Sequence, residues 1–201
     1  MTPPKTHRAL TLAAVVVANF MIAIEATIVS TAMPQIVAQL GHLQLYSWVF
    51  SAFLLTQTTT TVVFGKLSDR VGRKVVMYWG LGIFLVGSLL CGLAWSLPSL
   101  IVFRLVQGVG AGAIMPTSMT IVGDLYTPQE RGKIQGYLAS VWALSAVTGP
   151  LAGGLIIQHL SWAWIFWINL PLGLAALVLF QRFLHESAAL KGGRVDHLSA
   201  G

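Results

Sequence analysis

The chain has 201 residues, of which 56% are apolar and only 9% are Asp, Glu, Lys or Arg. A soluble domain carries about 25% charged residues, so this chain has too few charges to cover a water-facing surface. The composition excludes a cytosolic enzyme, a disordered tail and a secreted disulfide scaffold, and it leaves an integral membrane protein. The net charge of +6 indicates orientation in a bilayer rather than nucleic-acid binding, and the five histidines show no metal-ligand spacing.

Six apolar segments are long enough to cross a bilayer as helices, because about 20 residues at 1.5 Å rise span a hydrocarbon core of ~30 Å. The predicted helices run over Leu10–Pro34, Ser47–Phe64, Val75–Ala94, Leu97–Val122, Ile134–Ile157 and Trp162–Leu184. The sequence therefore predicts an all-α membrane protein. Residues 1–9 form its N-terminal segment, residues 10–184 a six-helix bundle, and residues 185–201 a tail or the start of a linker.

Lys and Arg occur at alternate ends of the predicted helices. Cytoplasmic segments of membrane proteins are enriched in these residues, so we expect both termini to be cytoplasmic. The basic residues that set this orientation are Lys5, Arg8, Lys66, Arg70, Arg73, Lys74, Arg131, Lys133, Arg182, Lys191 and Arg194. Arg104, inside the fourth predicted helix, is the exception.

Glu25 and Arg104 lie inside the first and fourth predicted helices. An ionised carboxylate in that position costs about 2.5–3.5 kcal/mol, so Glu25 should face other helices rather than lipid. At 1.5 Å per residue, Glu25 lies ~8 Å and Arg104 ~10 Å from the same edge of the hydrocarbon core. We therefore predict that they interact, directly or through water, and that Glu25 binds and releases a proton. A static buried ion pair joining two helices is the alternative.

The segment after the second predicted helix combines glycine with charge. Asp69 lies there among four cations, and Gly65 and Gly72 permit tight turns in a loop over Gly65–Lys74. This mixture predicts a specific salt-bridge cluster, with Asp124 at the same end of the fourth helix as a candidate partner. Contact with lipid headgroups is the alternative.

The fifth predicted helix carries small residues on one face. Ser145, Gly149 and Gly153 recur at every fourth position, followed by Gly154, and Pro150 lies among them. Such spacing lets two helix backbones approach closely, and proline bends a helix. Ordinary small-residue packing is the alternative.

The second predicted helix is unusually polar, because Gln57 is followed by four threonines. A polar helix face is typical of a water-filled or substrate path, and interhelical hydroxyl bonds are the alternative. Gln57, Thr58, Gln107 and Trp142 are the weaker candidates for residues that line a substrate path.

Together these segments resemble the major facilitator superfamily, and within it the fourteen-helix drug:proton antiporters, over about residues 24–182. The family's motif between helices 2 and 3 is matched at Gly65, Asp69, Arg70, Gly72, Arg73 and Lys74. The helix 4 motif is matched by Leu100–Gly112, which contains Arg104. The helix 5 antiporter motif is matched at Gly136, Gly149, Pro150, Gly153 and Gly154, with Ser145 where glycine is usual. Ile24–Pro34 and Trp162–Gly173 resemble the helix 1 and helix 6 motifs of the fourteen-helix group.

The resemblance implies one six-helix half of a major facilitator bundle in the inner (plasma) membrane. Glu25 would carry the proton, although aspartate is common at that position, and Arg104 would modulate it. The Gly65–Lys74 segment with Asp124 would be a conformational latch, and the motif of the fifth helix a hinge. The partners implied are a small-molecule substrate, protons and a second six-helix half, either a missing C-terminal part or another chain. A proton gradient rather than a cofactor would supply the energy. A carrier of another metabolite, or a truncated membrane subunit that does not transport, stays open.

Overall fold

The computed structural model describes residues 7–184, and most of these are helical, with no strand among them. The predicted all-α class is confirmed. The predicted tail over residues 185–201 and the first six residues lie outside the described part of the chain. The helices are α1 (Arg8–Leu40), α2 (Tyr46–Val71), α3 (Arg73–Gly92), α4 (Leu97–Leu125), α5 (Pro128–His159), α6 (Ala163–Trp167) and α7 (Asn169–Phe183), with a 3₁₀ turn over Leu43–Leu45 before α2.

Five segments of the described chain are long and apolar enough to cross a membrane. They are Arg8–Leu40, Arg73–Gly92, Leu97–Leu125, Pro128–His159 and Ala163–Phe183. Helix α2, the remaining member of the predicted six, is more polar because of Gln57 and the threonines after it. Its 26 residues still extend about 39 Å at 1.5 Å per residue, which is enough to cross the hydrocarbon core beside the others.

Helices α1 and α4 are the central helices of the bundle. Helix α1 packs against α5 and α7, α4 packs against α2 and α3, and α1 and α4 also contact each other. Two apolar clusters of buried side chains follow one another along α1, the first over residues 14–22 and the second over residues 24–36. Glu25 lies on α1 where the two clusters meet.

The segment predicted as a loop over Gly65–Lys74 is mostly helical, so that prediction was wrong. Helix α2 continues to Val71, and Gly65 lies inside it rather than in a turn. The chain turns at Gly72 alone, whose φ of 101° is the left-handed region that glycine adopts without strain. Helix α3 begins at Arg73. Charged residues end an apolar segment but not a helix, because a helix can continue beyond the hydrocarbon core.

The single helix predicted over Trp162–Leu184 is two helices, α6 and α7, with Ile168 between them. Pro171 explains the interruption. Proline has no N–H to donate to the carbonyl of Trp167 four residues earlier, and its ring crowds that carbonyl. Helix α7 therefore begins at Asn169 rather than continuing α6.

Candidate functional site: a buried polar ring in the helix bundle

Glu25 and Arg104 are in direct contact in the middle of the bundle. Arg104 Nη1 donates a hydrogen bond to Glu25 Oε1. The exposed fraction is 0% for Glu25 and 2% for Arg104, so the pair is enclosed by protein on every side. A buried charge is tolerated only with a partner, and each of these residues is the counter-ion of the other.

Further groups of α2 and α4 surround the guanidinium of Arg104. Its Nε donates to the carbonyl oxygen of Val49 at 3.2 Å, and its Nη1 also donates to Gln107 Oε1 at 2.7 Å. Its Cζ lies 4.2 Å from the centroid of the Phe53 ring, within the range of a cation–π interaction. Arg104 therefore keeps a defined position that does not depend on Glu25 alone.

The other carboxylate oxygen of Glu25 is bound by a residue of α7. Asn169 Nδ2 donates to Glu25 Oε2 at 2.5 Å and lies 3.4 Å from Ser88 Oγ. Ser88 Oγ also accepts a hydrogen bond from Gln107 Nε2 at 2.7 Å. Glu25, Arg104, Gln107, Ser88 and Asn169 therefore form a closed ring of hydrogen bonds, which we call the buried polar ring. It joins α1, α3, α4 and α7.

Two members of this ring, Ser88 and Asn169, were not predicted as site residues, and Gln107 was predicted in a different role. Gln107 is fully buried and bonds Arg104 and Ser88 within the ring, so it does not line an open path among the described residues. The signal for Asn169 was a polar residue inside an apolar segment, the same signal that identified Glu25.

The motif predicted on α5 divides into residues that pack on α1 and residues that do not. Ser145, Gly149 and Gly153 are buried, and Thr27 Oγ1 donates to the carbonyl oxygen of Ser145 at 3.0 Å. A Cβ added to Gly149 would lie 2.0 Å from Thr27 Oγ1. The other three motif residues lie away from this contact. Gly136 and Gly154 have no atom within 4 Å of an added Cβ, and Pro150 is exposed.

Three of the predicted latch residues are in contact at one end of α2, α3 and α4. Arg73 Nε lies 2.8 Å from Asp124 Oδ2, and Arg73 Nη2 lies 3.5 Å from Asp69 Oδ1. The side chain of Asp69 is 68% exposed, against 38% for Asp124. Lys74 Nζ donates to the carbonyl oxygen of Leu184 at 2.6 Å, which connects α3 to the end of α7. Arg70 is exposed.

The threonines of α2 bond mostly to their own helix. The hydroxyls of Thr56, Thr60 and Thr61 each donate to the carbonyl four residues earlier, at 3.2, 2.6 and 2.7 Å. Gln57 Nε2 lies 3.4 Å from the sulfur of Met115 on α4. Two further candidates for the substrate path, Thr58 and Trp142, are exposed on α2 and α5 respectively, where they can meet a substrate, lipid or another part of the protein.

The chain matches one family model and several curated proteins. The model of the Major Facilitator Superfamily matches residues 15–197. Multidrug transporter protein MdtP of Bacillus subtilis is 43% identical over 180 residues, which cover 90% of this chain and 33% of that protein. Multidrug resistance protein 3 of the same organism is 42% identical, over 88% of this chain and 34% of that protein. MFS-type efflux pump MMF1 of Pseudozyma antarctica is 44% identical, over 90% of this chain and 34% of that protein.

The chain thus spans about a third of the length of the curated relatives it matches. The match includes α1 from residue 15 onward, the helices α2 to α7 and the whole buried polar ring. The apolar helices and these similarities together identify a multi-pass membrane protein.

Proposed function

Because the chain belongs to the major facilitator superfamily, we propose that it forms the first six-helix half of a drug:proton antiporter in the plasma membrane. Members of this superfamily move small molecules across a membrane by rocking two halves around a central site. A second six-helix half, from further residues of the same protein or from another chain, supplies the opposite wall. Both ends of this half lie on the cytoplasmic side, as the positions of Lys and Arg indicate.

The observation that carries the proposal is the fully buried Glu25–Arg104 pair. When Glu25 binds a proton, the pair loses its attraction, and Arg104 keeps its bonds to Val49 and Gln107. Helix α1 packs mainly against α5 and α7, whereas α4 packs mainly against α2 and α3. A change in the attraction between α1 and α4 therefore alters how these two sets of helices pack against each other. This arrangement converts proton binding into a change of helix packing.

The substrate class and the direction of transport follow from the names of the relatives, which are multidrug and efflux proteins. We expect export of hydrophobic, often cationic, drugs against entering protons. The proton gradient is the energy source, without a cofactor, and the transported molecule leaves chemically unchanged, so the protein is not an enzyme.

The other predicted motifs have mechanical roles in this proposal. Arg73 with Asp69 and Asp124 holds one end of α2, α3 and α4 in one conformation until transport breaks these contacts. The close approach of α1 and α5 at Gly149 and Gly153 is the hinge on which the packing of α5 changes.

Exchange of drug for protons by the full product of the gene tests this function. Everted membrane vesicles from bacteria without their own main drug exporters are loaded with a pH gradient, and ethidium, a hydrophobic cation, is added. We expect ethidium transport and partial collapse of the gradient. Glu25→Gln abolishes both and leaves membrane insertion intact, whereas Glu25→Asp keeps part of the activity. Glu130→Gln, which changes an exposed carboxylate at the start of α5, is the matched control.

Normal exchange by Glu25→Gln would show that Glu25 is not the proton carrier. Accumulation of a metabolite instead of export would favour a carrier of another substrate class. A full gene product that inserts into the membrane but moves neither protons nor solute would favour a subunit that does not transport.

A further inference from the structure

Asn169 has an unusual pattern of hydrogen bonds for a fully buried side chain. Its Nδ2 faces Glu25 Oε2 and Ser88 Oγ, while its Oδ1 has no hydrogen-bond partner among residues 7–184. An unpaired buried carbonyl oxygen is destabilising, so native proteins contain few of them. The unpaired Oδ1 therefore indicates that Asn169 has a role other than stabilising this set of hydrogen bonds.

The orientation of this amide matches the ionised form of Glu25. A carboxylate only accepts hydrogen bonds, and an NH₂ group only donates them, so the Nδ2 contact fits the charged state. Once Glu25 Oε2 carries a proton, it becomes a donor and faces a second donor. The two groups then repel each other, unless the side-chain amide turns over and presents Oδ1.

We propose that Asn169 is a positioning residue that holds Glu25 in both protonation states by turning its side-chain amide over. This inference rests on the proposed role of Glu25 as the proton carrier. In the ionised state, Asn169 donates to Glu25 and Ser88. In the protonated state, Asn169 Oδ1 accepts from Glu25 Oε2–H and from the hydroxyl of Ser88.

The two orientations are matched in their hydrogen bonds. Each makes two bonds to the same two neighbours and leaves one polar atom of the amide unpaired, Oδ1 in the ionised state and Nδ2 in the protonated state. Two arrangements of similar energy form a bistable element that a single proton can bias. Movement is confined to the end of one side chain, so the helices need not separate for the proton to bind.

Ionisable groups near Glu25 are few. Arg104 faces it from α4, and the thiol of Cys91 faces the same region from α3, with its Sγ 3.7 Å from Gln107 Oε1. From α5, α6 and α7, the described residues place no further ionised group beside this carboxylate. A pH-dependent change at Asn169 can therefore be assigned to Glu25.

Nuclear magnetic resonance of the side-chain amides tests the inference on this chain in detergent micelles. The chain contains two asparagines, Asn19 and Asn169, so selective ¹⁵N labelling gives two side-chain signals. Asn19 Nδ2 donates to the carbonyl of Val15 in its own helix and serves as an internal reference. The titration of Glu25 is followed separately by ¹³C labelling of the glutamate carboxyls, with Glu25→Gln used for assignment.

We expect the Asn169 amide signals to change with pH at the same midpoint as the Glu25 carboxyl, while those of Asn19 stay constant. Glu25→Gln abolishes the change. Ser88→Ala removes one hydrogen-bond partner of the amide in each orientation, so the Asn169 signals should still change at the same midpoint as the Glu25 carboxyl. Ser88→Ala keeps both asparagines, so its result does not depend on whether a variant at Asn169 folds.

Constant Asn169 signals while Glu25 titrates would overturn the inference and leave the proposed function standing. A Glu25 carboxyl that does not titrate would overturn the proposed function and the inference with it.

The transport assay provides a second readout. Asn169→Leu in the full gene product should lower ethidium–proton exchange by about tenfold or more, the effect expected for one hydrogen bond to a charged group, and should shift its pH profile. Asn19→Leu, the matched change at a buried asparagine outside the ring, should keep the pH profile of the unchanged protein. Equal pH profiles for Asn169→Leu and the unchanged protein would contradict a positioning role.

Discussion

Replacement of Gly149 by alanine tests how closely α1 and α5 must approach. A Cβ at this position would lie 2.0 Å from Thr27 Oγ1, 2.8 Å from Thr27 Cβ and 3.3 Å from the backbone nitrogen of Ile28. Real Cβ atoms essentially never lie within 3.0 Å of an atom from a packed neighbouring residue. Rotation of the threonine moves its hydroxyl away but leaves its Cβ in place. The two helices must therefore separate by up to about 1 Å.

The expected cost follows from these contacts. Overpacking of a tight interface costs about 1–3 kcal/mol, and loss of the Thr27 hydrogen bond to the Ser145 carbonyl adds about 0.5–1.5 kcal/mol. Alanine in place of glycine inside a helix returns about 1 kcal/mol. We therefore expect Gly149→Ala to lower the free energy of unfolding by about 0.5–3.5 kcal/mol. Gly154→Ala, on the same helix with nothing within 4 Å, should raise it by up to about 1 kcal/mol.

Thermal and denaturant unfolding of the two variants in the same detergent measures this difference. The double variant Gly149→Ala with Thr27→Ala should recover part of the loss, because it removes the hydroxyl and the methyl group but keeps the Cβ of residue 27. If Gly149→Ala were as stable as Gly154→Ala, the close approach of α1 and α5 would not be a constraint, and the proposed hinge would lose its basis.

Two further predictions concern charges. Arg104→Met should lower the free energy of unfolding by about 3–5 kcal/mol, because Glu25 is left buried without a counter-ion. A combined Glu25→Leu and Arg104→Met variant should recover most of this loss. Equal free energies of unfolding for the single and double variants in detergent would contradict the prediction. Asp69→Asn should change the free energy of unfolding by less than about 0.5 kcal/mol, since its side chain is exposed, yet its effect on the turnover of ethidium exchange should be much larger than its effect on KM. Asp124→Asn should also lower the unfolding midpoint. An effect of Asp69→Asn on KM alone would argue against a latch.

The contact between Glu25 and Arg104 could be predicted because the depth of a residue in the membrane follows from its position in a membrane-spanning helix. A fixed rise per residue and a hydrocarbon core of known thickness place each residue along the membrane normal. Two opposite charges at the same depth are then expected to form an ion pair, since neither has water as an alternative partner. In a soluble protein the same sequence separation of 79 residues would carry no such information.

Asn169 and Ser88 were missed because their roles depend on geometry that apolar patterns do not contain. Asn169 lies inside the apolar segment predicted over Trp162–Leu184, but an uncharged amide has no opposite charge at its depth that would identify its partner. The interruption that Pro171 imposes at Ile168 makes it the first residue of α7, with its side chain facing α1. Ser88 is one small polar residue among many, and only the packing of α3 on α4 reveals its two partners.

The glycines of α3 and α4 and the buried polar ring are parts of one arrangement. A Cβ at Gly87 would lie 2.6 Å from the backbone nitrogen of Gln107, so α3 lies close enough to α4 for the adjacent Ser88 to reach the Gln107 side chain. On the opposite side of α4, a Cβ at Gly108 would lie 2.4 Å from the carbonyl oxygen of Phe53. That approach brings the Phe53 ring and the Val49 carbonyl against Arg104. Gly87 precedes Ser88, and Gly108 follows Gln107. The residues that let α2 and α3 approach α4 are therefore adjacent in sequence to polar residues of the ring, and this approach encloses Arg104. Small-residue packing and charge burial, treated as separate signals in the sequence, therefore have a common cause in this bundle.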